Sequence, residues 1–372
     1  MLNRLDDYPI HQTPEPLAHP ASGDRNVYDR YFFNGYERDG SCFFAFAMGL
    51  YPNRRVLDAS FSVVRDGVQT SVHASRLAPL ERTETRAGPL AVEVVEPMRS
   101  LRLRVGENPS GLRAELTFHA RTAAVEEPRT TARLHGRATM DSTRFTQWGS
   151  FEGSIEHPAG PLSLRRERWL GTRDRSWGMR SVGEREAGAP AGAPQFFWLW
   201  APLHFDDVCT HFDATEDAEG RPRSAHGSVV ALLGPGDEPT DPEERCLQRM
   251  PRVRHRIRWQ PGTRRARDAE LVLEPLRGDP HVIHLEPLLT FQMLGIGYLH
   301  PEWGHGLWKG DEAVGAEEWK LSELDPLDFR HLHVQQLSRA RWGEREGVGV
   351  LEQLVIGPHA PSGFRDLLDG AP

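Results

Sequence analysis

The residues best placed to do chemistry lie in GTRDRSWGMR, Gly171–Arg180. One carboxylate, Asp174, stands between Arg173 and Arg175, and Trp177 follows. In an extended segment alternate side chains leave on opposite faces. Arg173 and Arg175 therefore share one face and Asp174 takes the other. An aspartate flanked by arginines is held ionised by them. Two readings follow. Asp174 is either a clasp that fixes a strand end to a neighbouring domain, or a carboxylate aimed into a pocket as acid, base or anchor. On the second reading Arg173 and Arg175 orient an ionised Asp174. Trp177 then walls a cavity together with Trp198, Trp200, Trp303 and Trp308. Ser176 lies in no Gly-x-Ser-x-Gly elbow and is not read as a nucleophile.

Three further stretches hold candidate groups. In HFDDVCTHFD (His204–Asp213) a strand would project Cys209, His211 and Asp213 from one face. A histidine beside an aspartate makes an oriented base or a proton relay, and His204 is a candidate ligand contact. The plain alternative is a solvated hairpin end. GYLHPEWGHGLWKG (Gly297–Gly310) sets Tyr298, His300, Glu302, Trp303, His305 and Trp308 among four glycines. Aromatics walled by glycine make either a flat-sided cavity or close core packing. Its spacing matches no zinc pattern. His331-x-His333 is followed by Gln335 and Gln336 where a carboxylate ligand would be needed, so no metal is expected. Glu352 sits in the apolar run GVGVLEQLVIG. Inside a barrel its pKa would rise and it would serve as a neutral acid; otherwise it faces solvent. The catalytic set is thus Asp174, His211, Asp213 and Glu352. Glu352 or Asp213 is the proton donor, and Asp174 orients a water or His211.

These groups need elements to hold them. The chain has 372 residues, 35 of them Gly and 29 Pro, which leaves little room for long helices. Period-two alternation dominates. ASFSVVRDGVQTSVHAS (Ala59–Ser75) reads as strand, Asp66-Gly67 turn, strand. In RVRHRIRW (Arg252–Trp259) the four arginines alternate with Val253, His255, Ile257 and Trp259 and read as a solvated strand face. FFAFAMGLYPNRRVLDASFSVVRDG (Phe43–Gly67) aligns without a gap with FFWLWAPLHFDDVCTHFDATEDAEG (Phe196–Gly220), an offset of 153 residues. Two copies of one β-meander follow, and meanders hide their edges by curling into barrels. The expected fold is all-β: two tandem lipocalin-like antiparallel β-barrels with little helix. Residues 1–30 form a surface segment, 31–185 the first barrel and 186–372 the second. The linker lies near Val182–Pro194, and FRDLLDG near the end is a short helix.

Net charge is −8, which excludes the basic face that nucleic acid or anionic membrane requires. Three scattered cysteines, Cys42, Cys209 and Cys246, form no disulfide framework and fit a reducing compartment. No signal peptide and no apolar run of membrane-spanning length is found, so a cytoplasmic monomer or homodimer is expected. No P-loop, dinucleotide fingerprint, kinase set or HExxH occurs, and no cofactor is expected.

GTRDRSWGMR, YLHPEWGHGLWKG and GVGVLEQLVIGPHAPSGF together resemble a large uncharacterised bacterial family over most of the chain. That family is similar in layout to the tandem-lipocalin proteins typified by hydroxyneurosporene synthase, a carotenoid 1,2-hydratase. The resemblance implies a buried acid that protonates an isolated alkene, aromatics that steady the carbocation, and water that completes the reaction. The hydratase's catalytic aspartate follows an aromatic in a motif of its own, so no catalytic residue is carried over from it. The chemistry suits a dry, indole-rich pocket: the chain has ten Trp, the first at Trp148. The expected function is a cofactor-independent, acid-catalysed enzyme: a hydratase or dehydratase (a lyase), an isomerase, or a cyclase. Its substrate would be a hydrophobic, terpenoid- or steroid-like small molecule. The alternatives are a non-catalytic carrier for such a ligand, which needs the cavity but no acid inside it, and an accessory protein using the motif and the arginine strand as an interface.

Overall fold

The computed structural model describes residues 2–185, 188, 193–240 and 246–372. It is 55% strand, with no helix of seven residues or more. The strands form two antiparallel sheets, one of 14 strands and one of 10, and one of them nearly closes into a barrel. The fold is the expected pair of tandem barrels.

The 153-residue repeat is visible in the strands and in their register. Cys42–Tyr51, Val56–Arg65 and Val68–Leu77 in the first sheet correspond to Phe196–Trp200, Val208–Glu216 and Pro222–Ala231 in the second. The pair Phe44↔Val63 matches Phe197↔Glu216, and Ser60↔His73 matches Asp213↔His226. Register is therefore encoded twice by the same alternation. Asp66 and Gly67 both adopt positive φ, 51° and 76°, as a two-residue hairpin turn of type I′ requires.

Each sheet wraps its own apolar core. Phe33, Phe44, Phe46, Phe61 and Phe118 fill the first, and Phe197, Leu199, Phe212, Leu271 and Leu351 the second. A third cluster lies between them, where Phe32, Tyr36 and Phe43 of the first half meet Trp200, Phe291 and Val350 of the second. The halves are also interleaved. Strand Glu312–Lys320, from the second half of the chain, pairs with Val68–Leu77 and extends the first sheet.

Arg252, Arg254, Arg256 and Arg258 are exposed, as their alternation requires. The first strand begins at Val27. FRDLLDG is not a helix. The Asp369 carboxylate accepts from the amides of Arg365 and Asp366, and Arg264 donates to the Asp369 carbonyl, so local side-chain bonds hold an irregular loop instead. Much of the expected linker, residues 186–187 and 189–192, lies outside the described residues. Among the described residues no helix is long and apolar enough to cross a membrane.

Candidate functional site at the seam

Strand Trp169–Arg180 lies between Val27–Glu37 and Arg137–Glu156, so both its edges are paired and its two faces lead to different places. One face points into the first barrel. There Arg173 donates from Nε to Gln147 Oε1 at 2.8 Å and stands over Phe118 and Phe145. Arg175 pairs with Asp29 at 2.5 Å and stands over Tyr31. Trp177, on the same face, is 42% exposed and touches Phe145 edge-on.

Asp174 leaves on the other face, toward the second barrel. Its cross-strand neighbours are Phe32 and Thr146. Burial pushes its pKa up, to about 7, and the charges of Glu127 and Glu352 add to the rise, while Arg144 and Arg30 oppose it. This corrects the expectation of an ionised Asp174 held by Arg173 and Arg175. The alternation separates the three as expected, and the arginines spend their hydrogen bonds on Gln147 and Asp29. Asp174 is left with the neutral form within reach at physiological pH.

Opposite Asp174 the second half supplies Glu352 and Trp198. Glu352 is buried and accepts from His333 Nε2 at 2.7 Å, Gln335 Nε2 at 2.6 Å and Trp198 Nε1 at 3.2 Å. Burial alone would raise its pKa, but the bonds from His333 and Gln335 and the charge of Arg144 carry it below the usual range. Glu352 is therefore an anion, not the neutral acid that its apolar strand suggested. Gln335 Oε1 in turn accepts from Asn34 at 2.9 Å, which ties this group to the first sheet. Arg144 stands over Trp198 and Trp200 and pairs with buried Glu127 through two nitrogens. Arg144 and Asp174 are enclosed on most sides yet keep accessible surface, 27% for the Arg144 side chain. Both side chains can therefore be reached from solvent where the two halves meet, here termed the recess.

The remaining candidates disperse. His211 and Asp213 are buried together: His211 Nε2 is 3.4 Å from Glu127 Oε1 and Nδ1 is 3.7 Å from Asp213 Oδ2. Asp213 accepts from His226 at 3.1 Å. This chain reaches the recess through Glu127 and Arg144. His204 is a clasp. Arg121 donates to its Nδ1 at 2.8 Å, so its Nε2–H donates to the Gly171 carbonyl at 3.0 Å; burial holds its pKa well below normal and the ring neutral. Tyr298 reaches the seam, ringed by His305 and His333, while His305 donates to the Ile296 carbonyl at 3.0 Å. Trp303 is not a cavity wall. It stacks on His73 with 10° between planes, a side chain at Gly315 would overlap its ring, and a side chain at Gly297 would crowd the Trp303 carbonyl, so these glycines serve close packing. Trp308 is 46% exposed. The five expected tryptophans form no common wall; only Trp198 and Trp200 face Arg144.

Among the described residues two side-chain groups bring three possible metal donors within 4.8 Å: His73, His300 and Glu317, and Glu127, His211 and Asp213. In the first, His300 Nδ1 accepts from the amides of Glu302 and Trp303 at 3.0 and 2.9 Å. The neutral ring must then carry its proton on Nε2, which donates to Glu317 at 2.7 Å and offers a metal no lone pair. In the second, the carboxylate of Glu127 is already taken by Arg144 and Thr146.

Arg30, Glu127 and Arg144 carry no signal in the sequence, because each meets the site only across strands. His331-x-His333 has the spacing of a metal pair but lacks a carboxylate at Gln335 and Gln336; the pairing of His333 and Gln335 with Glu352 is made only across strands.

The chain belongs to a family of unknown function, DUF8625, whose model matches residues 2–365. No curated protein matches it in sequence. Among solved structures it is similar to an AttH-like protein from Nitrosomonas europaea, at 12% identity and a TM-score of 0.53, covering 93% of this chain and 98% of that one. It is also similar to CghA crystallised with Sch210972, at 10% identity and a TM-score of 0.50, covering 89% of each chain. At such identities the likeness is one of fold.

Proposed function

We propose that the recess between the barrels binds a hydrophobic, terpenoid- or steroid-like small molecule and that Asp174 is its proton donor in a cofactor-independent reaction: hydration or dehydration, isomerisation, or cyclisation. The observation that carries this is the pairing of opposite carboxylates in one site. Burial lifts Asp174 to about 7, while hydrogen bonds hold Glu352 ionised. Two carboxylates pushed apart in this way mark an acid and an anion. The indoles of Trp198 and Trp200 offer π-faces to a developing cation, and the Glu352 charge lies opposite to stabilise it. That a protein of this fold is crystallised with Sch210972 supports ligand binding by the fold.

The reaction on this reading begins with the Asp174 proton passing to a substrate double bond, whose π electrons form the new C–H bond. The cation is then discharged by losing a proton or by taking up water, which gives up a proton; ring formation moves the charge to another carbon before that step, and dehydration runs the hydration in reverse, with the Asp174 proton leaving on the hydroxyl as water. Asp174 recovers its proton from the same pool that water or the lost proton supplies.

The test starts with the ligand that co-purifies with the protein, extracted and identified by mass spectrometry. Wild-type protein and Asp174→Asn are incubated with that compound in D2O. Conversion or deuterium gain with wild type only is expected, with Asp174→Asn still binding. Unchanged ligand with wild type would make the protein a carrier, and equal conversion by Asp174→Asn would remove Asp174 from the donor role.

A further inference from the structure

We propose that Arg30 and Arg180 form an oxyanion subsite around Tyr298, so that the molecule bound at the seam is hydrophobic and carries a carboxylate. The inference deepens the reading of the seam as a ligand pocket and rests on it.

Arg30 lies on strand Val27–Glu37 and is 1% exposed. Its Nη2 donates to the Ile296 carbonyl at 3.3 Å, but its Nε and Nη1 are buried without a hydrogen-bond partner. Arg180 ends strand Trp169–Arg180, and its Nε and Nη2 are also buried and unpartnered. Both guanidinium carbons stand over one ring, that of Tyr298, at 4.7 and 5.7 Å, and Arg180 also stands over Tyr28 at 4.8 Å. Four nitrogen donors on two cations, Nε and Nη1 of Arg30 and Nε and Nη2 of Arg180, thus lie around Tyr298 without an acceptor, although Arg180 also hydrogen-bonds the Tyr298 side chain.

The surrounding charges do not answer this excess. Asp58 feels Arg30, but its oxygens accept from Tyr51 at 3.3 Å and the Gly306 amide at 2.7 Å, and burial pushes it up to about 6. Asp174 also feels Arg30 and is itself lifted. His305, between the two arginines and His333, is held neutral by burial. Tyr298 bonds Arg180 and the tyrosine faces offset part of the desolvation of a guanidinium, but a ring face accepts no in-plane hydrogen bond, and the four nitrogens stay idle. A buried cation with idle donors is costly to fold, and the group that relieves the cost is an anion that enters later. A carboxylate fits two guanidinium forks, and the neighbouring seam residues Phe32, Trp200 and Phe291 are apolar. The ligand's charged end would lie at Arg30 and Arg180 and its apolar body along the seam past Asp174.

The experiment is titration calorimetry of the full-length chain with dodecanoate, 1-dodecanol, dodecyl phosphate and inorganic phosphate. Dodecanoate is expected to bind at least about tenfold more tightly than 1-dodecanol, the range that charge-assisted hydrogen bonds supply. Arg180→Gln should abolish that preference without weakening 1-dodecanol, and Arg180→Lys should keep part of it. Arg30→Gln should match Arg180→Gln. If Arg30→Gln fails to fold, Arg180→Gln carries the test, because Arg180 keeps accessible surface. Equal binding of dodecanoate and 1-dodecanol, or a preference that survives Arg180→Gln, overturns the subsite and leaves the apolar pocket standing. Tighter binding of dodecyl phosphate than of dodecanoate overturns the carboxylate assignment. Inorganic phosphate binding alone leaves an ion site with no apolar ligand, and no binding by any amphiphile overturns both the subsite and the pocket.

Discussion

A carboxylate that stays protonated to about pH 7 leaves a signature in stability. The folded protein holds the Asp174 proton up to about pH 7, whereas an unfolded aspartate releases it near 3.8. Protonation therefore favours folding. The contribution is whole below the unfolded value and is lost as pH rises through the folded one. The full rise corresponds to at most about 4 kcal/mol, and solvent at the recess wall reduces this to roughly 2 kcal/mol. The loss runs steadily between the two values, and only about two of the three pH units between them lie above pH 5, so Asp174→Asn, which cannot ionise, should gain roughly 1 kcal/mol on wild type between pH 5 and pH 8. Urea unfolding at the two pH values measures it. A difference between the two proteins that does not change with pH would mean that Asp174 is ionised throughout, and the acid assignment would fall with it. Glu352 shows why environment and not residue type decides: hydrogen bonds from His333 and Gln335, with the charges of His333 and Arg144, reverse the direction that burial alone would impose.

At the scale of the element, strand Trp169–Arg180 works because it is paired on both edges and delivers opposite faces to opposite chambers. Its glycines make the close pairing possible. Gly178 has φ of +131°, which L side chains rarely adopt, and a Cβ there would overlap the Asp141 carbonyl oxygen on the neighbouring strand. Gly171 meets the Asn34 carbonyl oxygen in the same way. Gly178→Ala should therefore cost more than about 2 kcal/mol, the range of a strained and overpacked site. Denaturant midpoints of wild type and variant give the value, and a loss of less than about 0.5 kcal/mol would show that the strand relaxes freely.

At the scale of the molecule, the two barrels are not independent beads. Strand Glu312–Lys320 covers Val68–Leu77 across nine paired positions, and the third apolar cluster is shared by both halves. A fragment of residues 1–185 would expose Val68–Leu77 as a bare edge, with the apolar seam face beside it. It should aggregate in light scattering where the full chain does not, and a peptide spanning residues 312–320 should suppress the effect. A monodisperse fragment would mean that the first barrel closes without its borrowed strand. The same interleaving requires the recess to assemble only when both halves are folded, since Asp174 and Arg144 come from one and Trp198 and Glu352 from the other.

The strands, the Asp66-Gly67 turn and the repeat are legible in the sequence because each is written in the spacing of neighbours. Alternation of period two decides which side chains share a face, and by itself it separates Asp174 from Arg173 and Arg175. An offset of 153 residues without a gap already implies equal register in both halves. The protonation of Asp174, the charge of Glu352 and the idle donors of Arg30 and Arg180 are different in kind. Burial and electrostatic coupling are sums over whatever lies within a few ångströms, and here those neighbours come from strands far apart in the chain. Only the packing of one sheet against the other brings Arg144, Glu127, Arg30 and Glu352 around a single aspartate, and only that packing raises its pKa.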